Sequence, residues 1–289
     1  MNEHLKAATL IEALPYIQQF RGQTVVIKYG GAAMENEALV EGVLRDVVFL
    51  EAVGINPVLV HGGGKAITRA MKERGVVAKF IDGLRVSDAE SMDVIEKTLS
   101  AEINPGIVDA IKKLGGKARG FSGKEVLIAR KMEYRLAKTG EPVDLGFVGD
   151  ILGVDTGPLR DAVRAEVMPV ISPLARDGDG RVYNINADVA AGEIAQALKA
   201  DKIIYLSDVN GVLRDFKDPQ STISTLTIAE IDELKKQGII DGGMLPKVDS
   251  AIEALRHGVK KVHFLDGRMA HSLLLEVFTD AGVGTEITA

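Results

Sequence analysis

The chain has 289 residues, of which 46% are hydrophobic, 26% charged and only 4% aromatic, so it can form one large or two modest soluble domains with an aliphatic core. A formal net charge of −6 argues against the basic surface typical of nucleic-acid-binding proteins. The absence of cysteine excludes disulfides, thiolate metal sites and cysteine nucleophiles, and it fits a cytoplasmic location. No stretch approaches the ~20 apolar residues of a membrane helix, and the N-terminus lacks the apolar core of a signal peptide.

The N-terminal segment predicts a helix that stands apart from the rest of the chain. Leu10, Leu14 and Ile17 recur on one face, and Pro15 should kink the helix or end a turn. The segment precedes the first predicted strand and has no obvious place in a sheet. Two interpretations stay open: a helix packed on its own domain, or an arm that packs on another subunit.

Beyond this helix, near-continuous apolar strands alternate with helical patterns, which is typical of a parallel sheet covered on both faces. The middle segment, Val76–Asp155, is rich in glycine and in short alternating runs, which predict hairpins projecting from the sheet. Capping boxes are predicted at Ser87–Glu90 and Thr227–Glu230. The predicted strands are Thr24–Tyr29, Pro57–His61, Met168–Ser172, Lys202–Ser207 and Lys260–Leu265. The predicted helices are Asn36–Val53, Lys65–Arg74, Ala187–Lys199, Met244–His257 and Ala270–Asp280.

Glycine-rich loops follow the first two predicted strands. "HGGGKAI" is neither a Walker A loop nor a dinucleotide fingerprint, because Leu59, Ala66 and Ile67 occupy positions where those motifs need other residues. Glycines before a helix N-terminus suit an anion, although a tight turn is the alternative. "VVIKYGG" repeats the pattern and adds Lys28. If the two strands are adjacent and parallel, both loops meet at the carboxyl edge of the sheet, where ligands of such sheets bind.

Three further clusters fit the same edge, and a fourth segment carries an arginine; each has a structural alternative. "YNINAD" carries Asn184, Asn186 and Asp188, of which Asn186 suits a helix cap. "YLSDVNGVL" suits a polar turn. "DGGMLPKVDS" places Lys247 in a first helical turn, where the helix dipole disfavours a cation and a nearby anion would explain it. "DGLRVS" presents Arg85, whose guanidinium suits a carboxylate or phosphate but also a surface ion pair.

These stretches, in this order and together with "NINADVAAGEIA" and the closing "GVGTEI", resemble the amino acid kinase family over essentially the whole chain from Val25. "GLRVS" with "NINAD" narrows the resemblance to the branch that acts on N-acetyl-L-glutamate. It implies a three-layer α/β/α sandwich with a central, mainly parallel sheet. Residues 1–23 would form an oligomerisation arm, 24–177 an N-lobe for N-acetylglutamate, and 178–289 a C-lobe for ATP.

The resemblance also implies an activity and its residues. The γ-phosphoryl group of ATP would move to the γ-carboxylate of N-acetyl-L-glutamate, in arginine biosynthesis, with Mg²⁺ bound through ATP and no metal held by protein ligands alone. Asp188 would hold Lys28 and Lys247, which would face the transferring group. The implied catalytic residues are Lys28, Lys247, Asp188, Gly31 and Gly64. The implied substrate-binding residues are Gly63, Gly64, Arg85 and Asn184. The implied ATP-binding residues are Asp208, Val209, Gly211, Leu213, Gly243 and Met244.

Arginine-inhibited members of the family carry a similar N-terminal helix, so the resemblance further implies feedback inhibition by arginine and a hexamer built as a trimer of dimers. A nitrogen-signalling protein is a further implied partner, whereas no nucleic acid and no membrane are expected. The alternative for the arginine set is helix packing and ordinary surface groups. The implied arginine site comprises Tyr16, Lys217, Asp218, His271, Glu276 and Gly282.

Three rival functions remain. One is a family kinase for aspartate, glutamate, carbamate or a nucleoside monophosphate, which Arg85 and the lack of an appended domain disfavour. A second is a non-catalytic arginine sensor, which the presence of both lysines and Asp188 disfavours. A third is a nicotinamide-dependent dehydrogenase, which the lack of a G-x-G-x-x-G motif after any strand disfavours.

Overall fold

A computed structural model describes residues 3–215, 217–218, 220–280 and 282–289, with Ala32 described by its backbone alone. Residues 1–2 of the predicted arm lie outside these ranges. The strands are β1 Thr24–Tyr29, β2 Asn56–His61, β3 Phe80–Ile81, β4 Leu84–Arg85, β5 Ala118–Ser122, β6 Leu127–Lys131, β7 Tyr134–Arg135, β8 Pro142–Val143, β9 Gly149–Val154, β10 Met168–Ser172, β11 Leu174–Arg176, β12 Val182–Asn184, β13 Lys202–Ser207, β14 Thr225–Thr227, β15 Lys261–Asp266 and β16 Thr285–Thr288. The α-helices are α1 Glu3–Phe20, α2 Glu37–Ala52, α3 Gly64–Glu73, α4 Ala89–Glu96, α5 Asn104–Lys113, α6 Gly157–Arg164, α7 Ala187–Leu198, α8 Ile228–Lys236, α9 Leu245–Arg256 and α10 Ser272–Val277.

The central sheet has eight strands among the described residues, in the order β14-β16-β15-β13-β1-β2-β10-β5. Neighbours are parallel except β15 and β16, so the predicted mainly parallel sheet is confirmed. Both predicted lobes contribute strands to this one sheet, and the lobe boundary at residue 177 stays a prediction. Lys28 of β1 is in register with Val60 of β2 and Tyr205 of β13, so these three strands end at one edge.

Alternate residues of the strands enter two separate apolar clusters, as the two-residue period of a strand requires. Val26, Val58 and Ile203 pack on one face with α6, α7, α8 and α9. Ile27, Leu59 and Ile204 pack on the other face with α2, α5 and α10. The predicted three-layer sandwich is therefore confirmed, and it holds an aliphatic core on each side of the sheet.

The middle segment contains the predicted hairpins, β3–β4, β6–β9 and β7–β8, together with helices α4 and α5. Residues Lys97–Ile103 form a π-helical stretch between these two helices. The capping box at Ser87–Glu90 was a wrong prediction. Asp88 caps α4 instead, because its carboxylate accepts from the N–H of Ser91, while the Ser87 hydroxyl turns to the carbonyl of Arg85. The box at Thr227–Glu230 is confirmed.

One of the five predicted helices departs from its predicted bounds by more than one residue at each end, whereas the other four agree to within one residue at each end. α10 spans Ser272–Val277 rather than Ala270–Asp280, because His271 adopts a left-handed conformation with φ 59° and ends the turn before it. α1 continues through Pro15 to Phe20 and buries none of its residues against this chain. Its apolar face is exposed, with Leu10 and Ile11 more than 60% accessible, which favours the arm over a helix packed on its own domain.

Candidate active site

Two glycine loops face each other across the carboxyl edge of β1 and β2. Gly30 leaves room for the Lys28 side chain, since a Cβ there would lie 2.9 Å from Nζ of that lysine. Gly31 has φ +70°, and a Cβ on it would lie 2.3 Å from Oδ1 of Asp208. The left-handed conformation and the close carboxylate both require glycine. The first loop is thus shaped around Lys28 and Asp208.

Asp188, in the first turn of α7, joins the two predicted catalytic lysines. Nζ of Lys247 lies 2.6 Å from its Oδ2, and Nζ of Lys28 lies 3.0 Å from its Oδ1. The first contact is a hydrogen bond, whereas the second is an ion pair without hydrogen-bond alignment. The structure therefore brings residues from three distant segments into one lysine–carboxylate–lysine cluster.

The electrostatics of this cluster keep its carboxylate charged. Burial alone would raise the pKa of Asp188, but the two ammonium groups outweigh burial and hold that pKa below its usual value. Burial lowers the pKa of Lys247, and the nearby charge of Lys28 adds to this, against the attraction of Asp188. The cluster carries one net positive charge, which suits it to receive an anion.

Three residues that sequence reasoning missed hold this cluster from behind. The Ser250 hydroxyl donates to the backbone carbonyl of Asp188 at 3.0 Å and lies 2.8 Å from the hydroxyl of Tyr205 on β13. Gly192 of α7 allows the approach, since a Cβ there would lie 2.4 Å from the Ser250 oxygen. Ser250 follows Lys247 by one helical turn of α9, and this spacing was the available signal.

A cavity of about 250 Å³ lies between the second glycine loop, β4 and the start of α7. The residues with predicted catalytic or substrate roles that line it are Lys28, Gly31, Gly63, Gly64, Arg85, Asn184 and Asp188. Asn184 donates its amide to Ser87 at 3.2 Å. Asn186 instead caps α7, accepting from the N–H groups of Asp188 and Val189, as its structural alternative predicted.

Arg85 is the charged wall of this cavity. It is only 8% exposed, and its guanidinium donates to Gly64 O at 2.8 Å and Thr68 Oγ1 at 2.7 Å. It also lies 4.6 Å from the centre of the Phe80 ring. Burial lowers the pKa of Arg85 below its ordinary value, yet an arginine remains a cation. No carboxylate among the described residues pairs with it, so the cavity holds a buried positive charge suited to an acidic ligand.

A second cavity, of about 380 Å³, opens on the other side of the lysine cluster. Ile239, Ile240 and Val212 give it an apolar wall that sequence reasoning did not assign. Lys28 and Gly31 line both this cavity and the one beside Arg85, so two ligands would meet there. All six predicted ATP residues line it: Asp208, Val209, Gly211, Leu213, Gly243 and Met244.

A third cavity, of about 350 Å³, lies between α1 and the end of the chain, lined by Tyr16, Glu276 and Gly282 of the predicted arginine set. Glu276 is buried there, 2.6 Å from Nδ1 of His263 and 3.5 Å from Nζ of Lys202. Burial would raise the pKa of Glu276, but His263, the Val283 N–H and Lys202 together lower it. Sequence reasoning missed both Lys202 and His263, which lie inside strands.

The other members of that set lie elsewhere. His271 is not among the residues that line the third cavity, and its Nδ1 lies 2.6 Å from Oδ1 of the buried Asp46 on α2. Lys217 and Asp218 belong to a turn in which the N–H of Lys217 donates to Asp215. Neither lines the third cavity. The described chain therefore brings only half of the predicted arginine set together.

The described residues contain no cluster of three or more histidine, cysteine, aspartate or glutamate side chains suited to a metal ion. Asp208 and Asp241 are the acidic residues that line the second cavity. Within the same part of the chain, no helix is both long and apolar enough to cross a membrane.

Residues 23–266 match the amino acid kinase family. The chain belongs to the amino acid kinase family. Among curated relatives, the acetylglutamate kinase of Heliobacterium modesticaldum is 50% identical over 287 residues, 98% of this chain and 97% of its own. That of Carboxydothermus hydrogenoformans is 50% identical over 288 residues, 98% of each chain. Family membership decides against the dehydrogenase alternative.

Solved structures agree with this membership. N-acetylglutamate synthase from Neisseria gonorrhoeae, complexed with coenzyme A and N-acetyl-glutamate, is 28% identical with a TM-score of 0.85, and the match covers 98% of this chain but 63% of the synthase. A second structure of the Neisseria gonorrhoeae synthase, complexed with coenzyme A and L-arginine, is 28% identical with a TM-score of 0.80. This match covers 98% of this chain and 65% of the synthase. Giardia carbamate kinase, at 18% identity and a TM-score of 0.68 over 92% of this chain and 99% of its own, shares the amino acid kinase fold.

Proposed function

We propose that the protein transfers the γ-phosphoryl group of ATP to the γ-carboxylate of N-acetyl-L-glutamate, giving N-acetyl-L-glutamyl 5-phosphate for arginine biosynthesis in the cytoplasm. One observation carries the proposal: a cavity with a buried arginine, which pairs with no carboxylate of the described residues, meets a nucleotide-sized cavity at Lys28 and Gly31. Full-length relatives near 50% identity that are named acetylglutamate kinase support it.

The lysines act on the transferring group. ATP occupies the cavity of Asp208 and Gly243, and its γ-phosphorus reaches Lys28 and Lys247. A carboxylate oxygen of the acceptor forms the new P–O bond as the bond to the ADP oxygen breaks. Negative charge spreads over the transferring oxygens, and the fixed ammonium groups offset it. The N–H groups of Gly31 and Gly64 have no backbone acceptor among the described residues, so both can donate to the same oxygens.

Asp188 positions both lysines and removes no proton. An acceptor carboxylate is already ionised at neutral pH, because its ordinary pKa is near 4. The acid instead keeps two like charges together, with its contacts of 2.6 and 3.0 Å. This role explains how the site works without a catalytic histidine.

The acceptor binds between the second glycine loop and β4. Arg85 pairs with its α-carboxylate, and Asn184 and Gly63, which line the same cavity, supply hydrogen bonds to the acceptor. The α-carboxylate of the acceptor then lies at Arg85, and its γ-carboxylate lies at the lysine cluster around Lys28. Mg²⁺ would arrive with ATP and would offset phosphate charge, and Asp208 and Asp241 are acidic residues that line the cavity proposed for ATP.

Arginine is proposed as a feedback inhibitor in the third cavity. Glu276 is buried and ionised, a suitable partner for a guanidinium, and Tyr16 of α1 forms one wall. The exposed apolar face of α1 is proposed to interlock with other subunits, giving a hexamer built from dimers. A nitrogen-signalling protein as a further partner belongs to the same proposal.

The proposed function is tested by ATP-dependent phosphorylation of N-acetyl-L-glutamate, with the acyl phosphate trapped as its hydroxamate, in the presence and absence of millimolar arginine. Turnover that arginine suppresses is the expected result. A panel of aspartate, glutamate, carbamate and nucleoside monophosphates separates the other kinases of the family. Turnover of one of these instead of acetylglutamate would overturn the substrate assignment, and no turnover of any would favour a non-catalytic arginine sensor.

A further inference from the structure

His61, the last residue of β2, is completely buried directly before the second glycine loop. Its Nδ1 lies 2.8 Å from the carbonyl oxygen of Gly62, and its Nε2 lies 3.1 Å from the side-chain nitrogen of Asn104. That nitrogen also lies 2.9 Å from the carbonyl oxygen of Val170 on β10. His61 therefore connects the glycine loop to the first residue of α5.

The two carbonyl oxygens decide the protonation of this chain of hydrogen bonds. A carbonyl oxygen only accepts, so Nδ1 of His61 must carry the hydrogen that reaches Gly62, and the Asn104 atom facing Val170 must be its NH₂ group. The second amide hydrogen then points at Nε2, which accepts it. Burial lowers the pKa of His61 to about 4, against the opposing hydrogen bond to Gly62, so the ring is neutral at physiological pH.

The hydrogen bond from His61 also fixes an N–H group it does not touch. Because the peptide is trans, its carbonyl and the following N–H point in opposite directions. With the Gly62 oxygen held toward the buried imidazole, the N–H of Gly63 points away from it, on the side of the loop that lines the cavity of Arg85. No acceptor among the described residues takes this N–H, which leaves it available to a ligand.

The wall behind the loop is built by the same segment of chain. A Cβ on Gly63 would lie 2.7 Å from Leu99 and 2.8 Å from Ile103, both in the π-helical stretch that ends directly before Asn104. On the far side, a Cβ on Gly120 would lie 2.1 Å from Oδ1 of Asn104, so the amide fills the space that this glycine leaves. π-Helical turns are frequent at functional sites, and this one packs its side chains against the second glycine loop.

We propose that His61 and Asn104 are positioning residues for phosphoryl transfer: they lock the Gly62–Gly63 peptide so that the Gly63 N–H is presented to the reacting acceptor carboxylate. The role rests on the proposed function, since the reacting group is the one assigned above. Neither side chain lines the cavity. They act through the loop and not on the substrate.

Two substitutions separate this role from simple core filling. His61→Asn places an amide NH₂ near the position of Nδ1, so the hydrogen bond to Gly62 survives while the link to Asn104 is lost. His61→Gln reaches the position of Nε2, so the link to Asn104 survives while the donor to Gly62 is lost. A filling role predicts equal losses that follow the melting temperature. The positioning role predicts that only the second variant loses catalysis.

For folded His61→Gln we expect kcat with acetylglutamate to fall about 10- to 100-fold, toward the loss caused by removing a transition-state donor, with KM for ATP unchanged. His61→Asn should stay within about threefold of the parent, given the retained donor. Equal kcat values for the two variants would overturn the proposal. In Asn104→Leu the His61 ring loses the partner that aligns it, so the kcat of this variant should lie between those of the two His61 variants.

A spectroscopic measurement tests the same geometry without activity. In ¹⁵N-histidine-labelled full-length protein, the His61 signals, assigned by their loss in His61→Asn, should show a protonated Nδ1 and an unprotonated Nε2 down to about pH 5, as the hydrogen-bond partners require. The opposite tautomer, or a charged ring at pH 7, would overturn the proposal. A parent that fails on acetylglutamate but shows the expected tautomer would instead remove the proposed function alone.

Discussion

Asp188 and Lys247 lie in the first turns of two different helices and meet with an oxygen–nitrogen distance of 2.6 Å. The positive end of a helix dipole favours the acid and disfavours the lysine. Lys247 is therefore held where it is by Asp188 and not by its own helix. The carboxylate of Asp188 thereby stabilises a cation at a helix N-terminus, where the helix dipole disfavours positive charge, and this cation can bind a phosphoryl group.

Replacing Asp188 with Asn should destabilise the fold as well as the site. Two ammonium groups would be left without their carboxylate, and breaking a buried ion pair costs about 3–5 kcal/mol. We expect denaturant unfolding to show a loss of that order and kcat to fall at least tenfold. Asp249→Asn is the matched control, since its pair with Lys235 is on the surface and should change stability by less than about 1 kcal/mol. A fully stable Asp188→Asn protein would contradict the cluster.

Lys28 and not Lys65 should be the catalytic lysine of the glycine loops. Lys28→Met should lower kcat by about 10²- to 10³-fold, because a fixed charge on the transferring oxygens is lost. Lys65→Met should leave kcat within about threefold, because its side chain is 59% exposed and pairs only loosely with Glu35. Steady-state kinetics on both variants tests the assignment. A lower kcat in Lys65→Met than in Lys28→Met would contradict it.

Arg85→Lys should weaken acceptor binding selectively. Lysine keeps the charge but loses the planar fork, so KM for N-acetylglutamate should rise about tenfold or more while KM for ATP stays unchanged. Arg119→Lys provides the comparison, since Arg119 also lies 4.6 Å over a phenylalanine ring, that of Phe121, away from the cavity. Equal effects of the two substitutions would remove Arg85 from the substrate site.

Glu276→Gln should relieve inhibition by arginine without lowering kcat. Its buried carboxylate is the proposed guanidinium partner, and neutralising it should raise the inhibitory arginine concentration about tenfold or more. The matched variant Glu286→Gln, at the partly exposed rim of the same cavity and paired with Lys261, should change it less. Inhibition curves at fixed substrate give the measurement, and unchanged inhibition in Glu276→Gln would place arginine elsewhere.

Stability should fall in mild acid because of His61. Its pKa is about 4 in the fold and 6.5 unperturbed, so the unfolded chain alone binds this proton between those values. The contribution is fully present above pH 6.5, declines as pH falls to about 4, and amounts to about 3 kcal/mol. His61→Asn should lack this part of the slope. His257→Asn, with an exposed ring, should keep it, and His263 contributes equally to both.

The predictable part of the fold was local. The strand bounds of β1, β10 and β13 follow from short β-rich apolar runs, and the glycines after β1 and β2 mark loops where backbone approaches a ligand. The start of α7 was predictable because a capping asparagine fixes it. The capping box wrongly predicted at Ser87 shows the limit: the neighbouring Asp88 competes for the same helix end, and the folded structure decides between the two side chains.

The amino-acid sequence by itself determined the parallel α/β class, the two glycine loops and the separate candidates Lys28, Asp188 and Lys247, because periodicity, chain flexibility and charge are properties of neighbouring residues. The family resemblance implied that these three would meet, and the tertiary structure shows their contacts. Only the tertiary structure decided that His61 reaches Asn104 and that His271 contacts Asp46. Such contacts depend on strand order and helix packing, which join residues far apart in the chain. Because these polar groups are buried away from water, the loss of any one of their partners costs free energy that water cannot restore.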